Sequence, residues 1–210
     1  LSIFCFVELT TMDPENRVFE TDLLTWIPGN NIRTTSGELA QLNISWGLQF
    51  DPLSAIFVLF ITGIGFLIHV YSIGYMWEEE GFWRFFAYLN LFMFMMLVLI
   101  LSNNYMGLFV GWEGVGLCSY LLIGYYTHKK SAGDAAKKAF VVNRIGDFGF
   151  VLGMFLIFST LGTLDFTDGF SEISRLFPGP EIGWGVLSWI ALLLFIGACG
   201  KSAQIPLYVW

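Results

Sequence analysis

Long apolar runs are the sequence feature that most restricts the fold of this chain. Five such runs, separated by polar connections, approach or exceed the length that a helix needs to cross a bilayer, about 20 residues. The hydrocarbon core offers no water, so backbone groups there must bond to one another, as they do within a helix. We therefore predict an all-α polytopic membrane protein, a bundle of transmembrane helices. The predicted spans are about 52–76, 85–101, 105–126, 139–161 and 186–210.

Composition supports this fold class and excludes others. Only 13% of the residues are charged, whereas a soluble domain carries about 25%. No basic stripe exists outside one short connection, so nucleic acid is not an expected partner. Cys5, Cys118 and Cys199 are far apart in apolar runs and form no CxxC pair. We interpret them as small buried side chains and predict neither a metal site nor a cofactor in this chain.

The polar segments divide the chain into regions. We interpret residues 1–10 as the end of a truncated transmembrane helix and 11–50 as a polar connection. The transmembrane domain is then 51–210, and because both ends lie in apolar runs we expect a fragment of a longer protein. Within the connection, alternating apolar residues over 39–50 predict a short strand or hairpin.

Lysine and arginine in the connections predict the orientation. The 127–138 connection contains four lysines, which places it on the cytoplasmic (or matrix) side. The 11–50 and 162–183 connections, both interpreted as polar loops, then face the opposite side. Ser102-Asn103-Asn104 is a tight hairpin between two spans.

Small residues four apart predict close helix contact. Such pairs allow two helix backbones to approach each other in a membrane. The pairs are Gly107 with Gly111 and Gly149 with Gly153.

Ionisable residues inside the spans are the candidate functional site. Glu113, Asp147 and Lys201 lie near the middle layer on three different helices, and Arg144 precedes Asp147 at a spacing that allows an ion pair. A charge at this depth costs about 2.5–3.5 kcal/mol on insertion scales, so such residues usually have a partner or mark an ion pathway. We interpret Glu113 and Lys201 as a candidate proton switch; a static ion pair that fixes helix packing is the alternative.

Depth estimates indicate how this pair could interact. At about 1.5 Å per residue, Glu113 and Lys201 are offset by roughly 6–12 Å along the membrane normal. Coupling through water or a third side chain is therefore an open alternative to direct contact.

A helix break is expected beside the lysine. Pro206 has no N–H, so the carbonyl of Ser202 loses its helical partner and should face a wet pocket. Gln204 adds a polar side chain there. His69, in the first full span, is a further accessory candidate, although a histidine in a helix can equally be a hydrogen-bonded structural residue.

Several motifs in this order resemble a known family. The sequence over about 45–210 is similar to the antiporter-like subunit L (chain 5) family of NADH:quinone oxidoreductase, respiratory complex I. The motifs are Gly111–Gly116, Ser119–Gly124, Lys138–Asp147, Gly200–Leu207, Phe66–Ser72 and Arg84–Tyr88.

The resemblance implies a fold and an activity. The fold would be most of the first of two inverted five-helix repeats, with a broken helix near Lys201–Pro206. The activity would be proton translocation coupled to electron transfer elsewhere in the complex, with residues 51–210 as the proton-translocating domain. Glu113 and Lys201 would form the half-channel pair, which Asp147 and Arg144 modulate.

The resemblance also implies partners and a location. NADH, FMN, iron–sulfur clusters and quinone would be bound by other subunits. The partners would be other membrane subunits of the complex, especially a neighbouring antiporter-like subunit, together with lipid and protons. A bacterial plasma (inner) membrane is favoured, with an organelle inner or thylakoid membrane as the alternative.

Two competing functions remain open. A subunit of a multisubunit Na⁺/H⁺ antiporter would share the helix plan and the Glu/Lys pair, although Gly114-Val115-Gly116 favours the complex I family. A membrane scaffold that uses ion pairs only for packing is the third possibility, and it predicts that neutralising the charges costs stability alone.

Overall fold

Long apolar helices dominate the described residues of the computed structural model. The structure describes residues 1–29, 31–35, 37, 39–180 and 183–210. Among these residues, α2 to α5 are the helices long and apolar enough to cross a membrane, which confirms the predicted fold class. The helices are α1 (Ser2–Thr11), α2 (Pro52–Tyr75), α3 (Phe82–Leu101), α4 (Tyr105–Ile123), α5 (Lys130–Leu161), α6 (Phe166–Leu176) and α7 (Val186–Lys201).

Side-chain caps set the starts of two spans. The Asp51 carboxylate accepts a hydrogen bond from the Ser54 amide, and the Ser54 hydroxyl accepts one from the Asp51 amide, each at 2.7 Å. This capping box, with Pro52 in the first turn, begins α2. At α4 the Asn104 side chain accepts a hydrogen bond from the Gly107 amide at 2.8 Å. Both caps satisfy amides that a helix start leaves without partners.

Three predicted boundaries were wrong. The connection predicted over 127–138 is helical from Lys130, because its alanines and lysines favour a helix that water can solvate. The predicted loop 162–183 contains the amphipathic helix α6, and its residues 181 and 182 lie outside the described ones. The predicted span 186–210 is helical only over Val186–Lys201.

Strands form in the polar connection, as predicted for 39–50. They are β1 (Phe19–Ile27), β2 (Asn31–Arg33), β3 (Leu39–Gln41) and β4 (Ile44–Phe50). However, β3 pairs with β2, and β4 pairs antiparallel with β1 from Phe19↔Phe50 to Ile27↔Ile44. The strand β1 was not predicted because most of its side chains are exposed and give it no buried apolar face.

Glycines bring the helix backbones together. A Cβ at Gly111 would lie 2.5 Å from the Leu99 Cα of α3, and one at Gly146 would lie 3.0 Å from the Gly200 Cα of α7. Three of the four predicted glycines therefore meet another helix: Gly111 meets α3, while Gly149 and Gly153 meet side chains of α7. Gly107 instead lies against Ser102 and Asn104 in the connection before α4. As a result α5, which contributes most of the buried core, contacts both α4 and α7.

Three connections meet at one end of the bundle. The Tyr105 amide donates to the Leu164 carbonyl at 2.9 Å, and the Phe166 amide donates to the Asn103 carbonyl at 3.0 Å. The Asn103 side chain donates to the carboxylates of Glu20 and Asp22, each at 2.9 Å. The 11–50, 102–104 and 162–183 connections thus share an end, as the predicted orientation requires.

Carboxylates accumulate where these connections meet. Burial, followed by the charges of Asp168, Asp22 and Glu20, raises the pKa of Asp165 to about 6, and a hydrogen bond from Thr163 opposes this shift. Because the folded pKa exceeds the unfolded one, the folded chain binds more protons between about pH 4 and pH 6. Stability from this group therefore increases as the pH falls through that window.

We predict that Asp165→Asn stabilises the chain at pH 7.5 by about 1 kcal/mol, a value reduced because half-exposed charges are screened by water. The gain should be largely lost by about pH 4, where the carboxyl is protonated in most of the folded and much of the unfolded chain. Thermal unfolding of the full-length protein in detergent at both pH values measures this difference. Asp134→Asn, at an exposed position on α5, is the control. An equal gain at both pH values would contradict the prediction.

Candidate functional site

Three helices position the predicted ionisable residues. Glu113 lies near the middle of α4, Arg144 and Asp147 lie near the middle of α5, and Lys201 is the last residue of α7. The contact between Gly146 and Gly200 holds α7 against α5 at the level of Asp147 and Lys201. The structure therefore brings all four residues to one region between α4, α5 and α7.

Arg144 connects the two carboxylates. Its Nη1 forms an ion pair with Glu113 Oε2, and its Nε lies 3.6 Å from Asp147 Oδ2. The predicted ion pair within α5 is thus present. The ion-pair partner of Glu113 among the described residues is Arg144 rather than Lys201.

Asp147 is the most buried charge of the site, with 3% of its surface exposed. The indole Nε1 of Trp112 donates to its Oδ1 at 2.5 Å. Its Oδ2 receives no hydrogen bond from any described residue. One oxygen of this carboxylate is therefore bound by a residue of α4, while the other can still accept a hydrogen bond.

Lys201 lies against α4 with its ammonium buried. A Cβ at Gly116 would be 2.6 Å from Lys201 Nζ, so the missing side chain there provides the space for the ammonium. Its charged neighbours are Asp147, which attracts it, and Arg144, which repels it. Nζ has no hydrogen-bond partner within the described part of the chain.

The helix containing Lys201 ends at that residue. Ser202 follows as the cap, and Ala203 adopts a left-handed backbone with φ of 49°, which is unfavourable for a residue with a Cβ. The predicted interruption between Lys201 and Pro206 is confirmed, but it begins before the proline, and residues 202–210 are not helical. Gln204 is exposed, and its backbone N–H donates to the backbone carbonyl of Cys199 at 3.0 Å.

His69 lies apart from this cluster on α2. Its Nδ1 is 2.7 Å from the Gly65 carbonyl of the preceding turn, and its ring is 6.1 Å from that of Phe86 on α3. These contacts favour the structural interpretation of His69, and an accessory role in proton transfer remains a prediction.

Sequence reasoning missed two residues of the site. Trp112 contacts Asp147, and Gly116 makes room for Lys201. A signal for Trp112 was available, since an indole N–H inside an apolar span needs an acceptor. No comparable signal existed for Gly116, because its importance depends on which helix lies opposite.

A helix bundle with ionisable groups from three helices at its centre defines a class of protein. Such polytopic membrane proteins include ion transporters and antiporter-like subunits, in which helix ends and charges meet near the middle of the membrane.

Comparison with known proteins assigns the family. Residues 102–210 match the family model described as "NADH:quinone oxidoreductase/Mrp antiporter, TM". Residues 38–86 match the one described as "NADH-Ubiquinone oxidoreductase (complex I), chain 5 N-terminus". The chain belongs to the NADH:quinone oxidoreductase/Mrp antiporter transmembrane family. Its curated sequence relatives are subunits L of NADH-quinone oxidoreductases.

Curated relatives extend this assignment. The chain is 50% identical over 198 residues to NADH-quinone oxidoreductase subunit L of Mycobacterium tuberculosis, covering 94% of this chain and 29% of that protein. It is 47% identical over 173 residues to subunit L of Escherichia coli, covering 82% of this chain and 28% of that protein. The chain thus spans less than a third of the length of these relatives.

Solved structures share the fold. The Mrp complex of Dietzia contains a chain with a TM-score of 0.74 and 22% identity, matched over all of this chain and 21% of that chain. An archaeal membrane-bound sulfane sulfur reductase contains one with a TM-score of 0.61 and 21% identity, matched over all of this chain and 30% of that chain.

We predict that Arg144→Gln destabilises the full-length protein by about 2 kcal/mol, because it leaves Glu113 and Asp147 without their cation. This is below the cost of breaking a fully buried pair, since the Arg144 side chain is 35% exposed. Arg175→Gln, which removes an exposed pair with Glu172 at the same i,i+3 spacing, should cost below about 1 kcal/mol. Unfolding in detergent compares the two, and equal losses would contradict the prediction.

Proposed function

We propose that this chain supplies a proton pathway in the membrane arm of NADH:quinone oxidoreductase. The pathway is a half-channel through Glu113, Arg144, Asp147 and Lys201, and it is coupled to electron transfer elsewhere in the complex. The subunit takes part in the quinone-reducing, proton-translocating enzyme without holding a redox centre of its own.

The arrangement of unused polar atoms supports this proposal most directly. Glu113 Oε1, Asp147 Oδ2 and Lys201 Nζ are buried atoms without a hydrogen-bond partner among the described residues. Each unsatisfied buried group is costly, and water that bridges such groups reduces the cost. Two acceptors and a donor in one cluster therefore favour water between them, which is the medium through which protons move between side chains.

The chemistry follows from the charges. Arg144 cannot lose its proton, so its attraction for either carboxylate is constant in sign. Lys201 and the carboxylates can exchange protons, and the state of each group changes the energy of the others. A proton that reaches Glu113 weakens its ion pair with Arg144, which leaves the guanidinium free to move towards Asp147. The electrostatic environment of Lys201 then changes, and the lysine can pass its proton on.

The remaining components lie outside this chain. NADH, FMN, iron–sulfur clusters and quinone belong to other subunits, and neighbouring membrane subunits, especially an antiporter-like one, are the partners. Since the curated relatives reported above are bacterial, we propose the plasma (inner) membrane as the location.

A subunit of a multisubunit Na⁺/H⁺ antiporter is the second candidate. The likeness to the Mrp complex favours it, but at 22% identity this likeness concerns the fold alone. The 50% identity to subunit L and the match to the chain 5 N-terminus favour complex I. Proton transport that requires Na⁺, rather than NADH oxidation, would support the antiporter.

We predict that Glu113→Gln lowers NADH-driven proton translocation at least about tenfold, because the amide cannot exchange the proton. Lys201→Ala should have a similar effect, and the double variant should be no worse than the worse single one. Translocation in inverted membrane vesicles, normalised to assembled complex, measures this. Glu80→Gln and Lys137→Ala, both at exposed positions, are the matched controls.

Two outcomes would count against the proposal. Normal translocation in the assembled Glu113→Gln complex would show that the carboxylate is not part of the pathway. Loss of assembly with unchanged turnover per complex would favour the scaffold, in which the charges serve packing alone.

We also predict that Gly116→Ala lowers translocation about tenfold without loss of assembly. The new methyl group would occupy the place of Lys201 Nζ, and the flexible lysine can move aside without disturbing the helices, but displacement of a reacting group by about 1 Å is costly for transfer. Gly133→Ala, where a Cβ meets no atom within 4 Å, is the control. Equal translocation in both variants would rule out this position for the ammonium.

A further inference from the structure

Trp112 is fixed between α4 and α5 by two contacts. Its indole N–H donates to Asp147 Oδ1 at 2.5 Å. Its ring stacks on Phe150 with 5.1 Å between centroids and an interplanar angle of 27°. Phe150 is buried and lies one turn after Asp147 on α5. Both contacts are therefore with the same face of α5, so the indole has little freedom to rotate.

The same ring lies next to Lys201. The ammonium nitrogen is 5.7 Å from the centroid of the Trp112 ring, within the range at which a cation is attracted to an aromatic face. The nitrogen also lies beside Gly116, one turn along α4 from Trp112. Trp112 thus contacts the carboxylate through its edge and the cation through its face.

These contacts leave the two carboxylate oxygens of Asp147 in different environments. Oδ1 is occupied by the indole, whereas Oδ2 has no hydrogen bond from the described residues and lies 3.6 Å from Arg144 Nε. A carboxylate free to rotate could turn both oxygens towards Arg144, since a guanidinium favours bidentate pairing. Held by Trp112, it keeps one oxygen out of that pairing.

We propose that Trp112 is a positioning residue of the pathway: its N–H holds one oxygen of Asp147 and its ring supports the Lys201 ammonium. It thereby prevents Asp147 from pairing fully with Arg144 and keeps the carboxylate available to Lys201. The proposal rests on the proposed function, because it concerns how the same ionisable groups are arranged.

The residue type follows from this task. A phenylalanine would keep the stacking on Phe150 and a face towards the cation, but it would leave Asp147 Oδ1 without its donor. Among apolar-bodied side chains, tryptophan combines a large ring with an N–H at its edge and has no acid–base function of its own. Its contribution is therefore geometric, and no proton passes through it.

The test compares Trp112→Phe with Trp83→Phe in the full-length protein, assembled in the complex. Trp83 lies at the start of α3 and is 73% exposed, so its replacement controls for the loss of a tryptophan. We expect Trp112→Phe to lower the ratio of translocated protons to oxidised NADH, or the turnover per assembled complex, about fivefold or more. Trp83→Phe should match the parent.

A double-mutant cycle separates positioning from general packing. If Trp112 acts through Asp147, then Trp112→Phe should lower translocation little further in an Asp147→Asn background. The interaction between the two substitutions should then account for most of the effect of Trp112→Phe alone. A packing defect would instead lower translocation by the same factor in both backgrounds, and it would reduce the amount of assembled complex.

Each outcome of this experiment is decisive for one of the two proposals. Equal translocation in the Trp112→Phe and Trp83→Phe complexes, or additive effects in the cycle, would overturn the positioning role. If Glu113→Gln and Lys201→Ala leave translocation intact, the proposed function fails whatever Trp112→Phe does. If those two variants stop translocation while Trp112→Phe does not, only the positioning role fails.

Discussion

The Arg144 guanidinium, placed between carboxylates on two helices, is the interaction on which the rest of the site depends. A charge inside a membrane is tolerated when an opposite charge or water is near. Arg144 satisfies this requirement for Glu113 and Asp147 together. Without it, Glu113 and Asp147 would lose the cation they share, and burial would favour their neutral, protonated forms. The ion pairs therefore connect α4 to α5 at the level of these carboxylates.

Close backbone contact makes that electrostatic arrangement possible. Glycines on α5 and α7 let the two helices approach until Gly146 and Gly200 touch. Lys201, one residue after Gly200, then reaches the space beside Gly116 on α4. Packing in a membrane depends on such small residues because apolar side chains gain little by leaving lipid for another helix. The glycines and the charges thus act together, because the close backbone contact sets the distances between the charged groups.

One end of the bundle differs from this centre. At the end where the 11–50 and 162–183 connections meet, the Glu20 carboxylate accepts hydrogen bonds from two neutral donors, the Asn103 amide side chain and the Thr167 hydroxyl. Burial and mutual repulsion then raise the pKa of Asp165 to about 6. Neutral donors are sufficient there because water can reach the cluster, whereas the centre needs a cation. The depth of each group decides which kind of partner it requires.

The sequence alone determined that several long apolar helices exist, where α2 and α4 start, and which ionisable residues to examine. These features depend on local properties: apolar length, caps within a few residues, and the cost of charge in lipid. The tertiary structure alone decided that Glu113 pairs with Arg144, that Trp112 holds Asp147, and that α7 ends at Lys201 before Pro206. Those outcomes depend on how separate helices rotate and how closely they approach each other. Residues far apart in the chain determine both together, so no local sequence pattern predicts them.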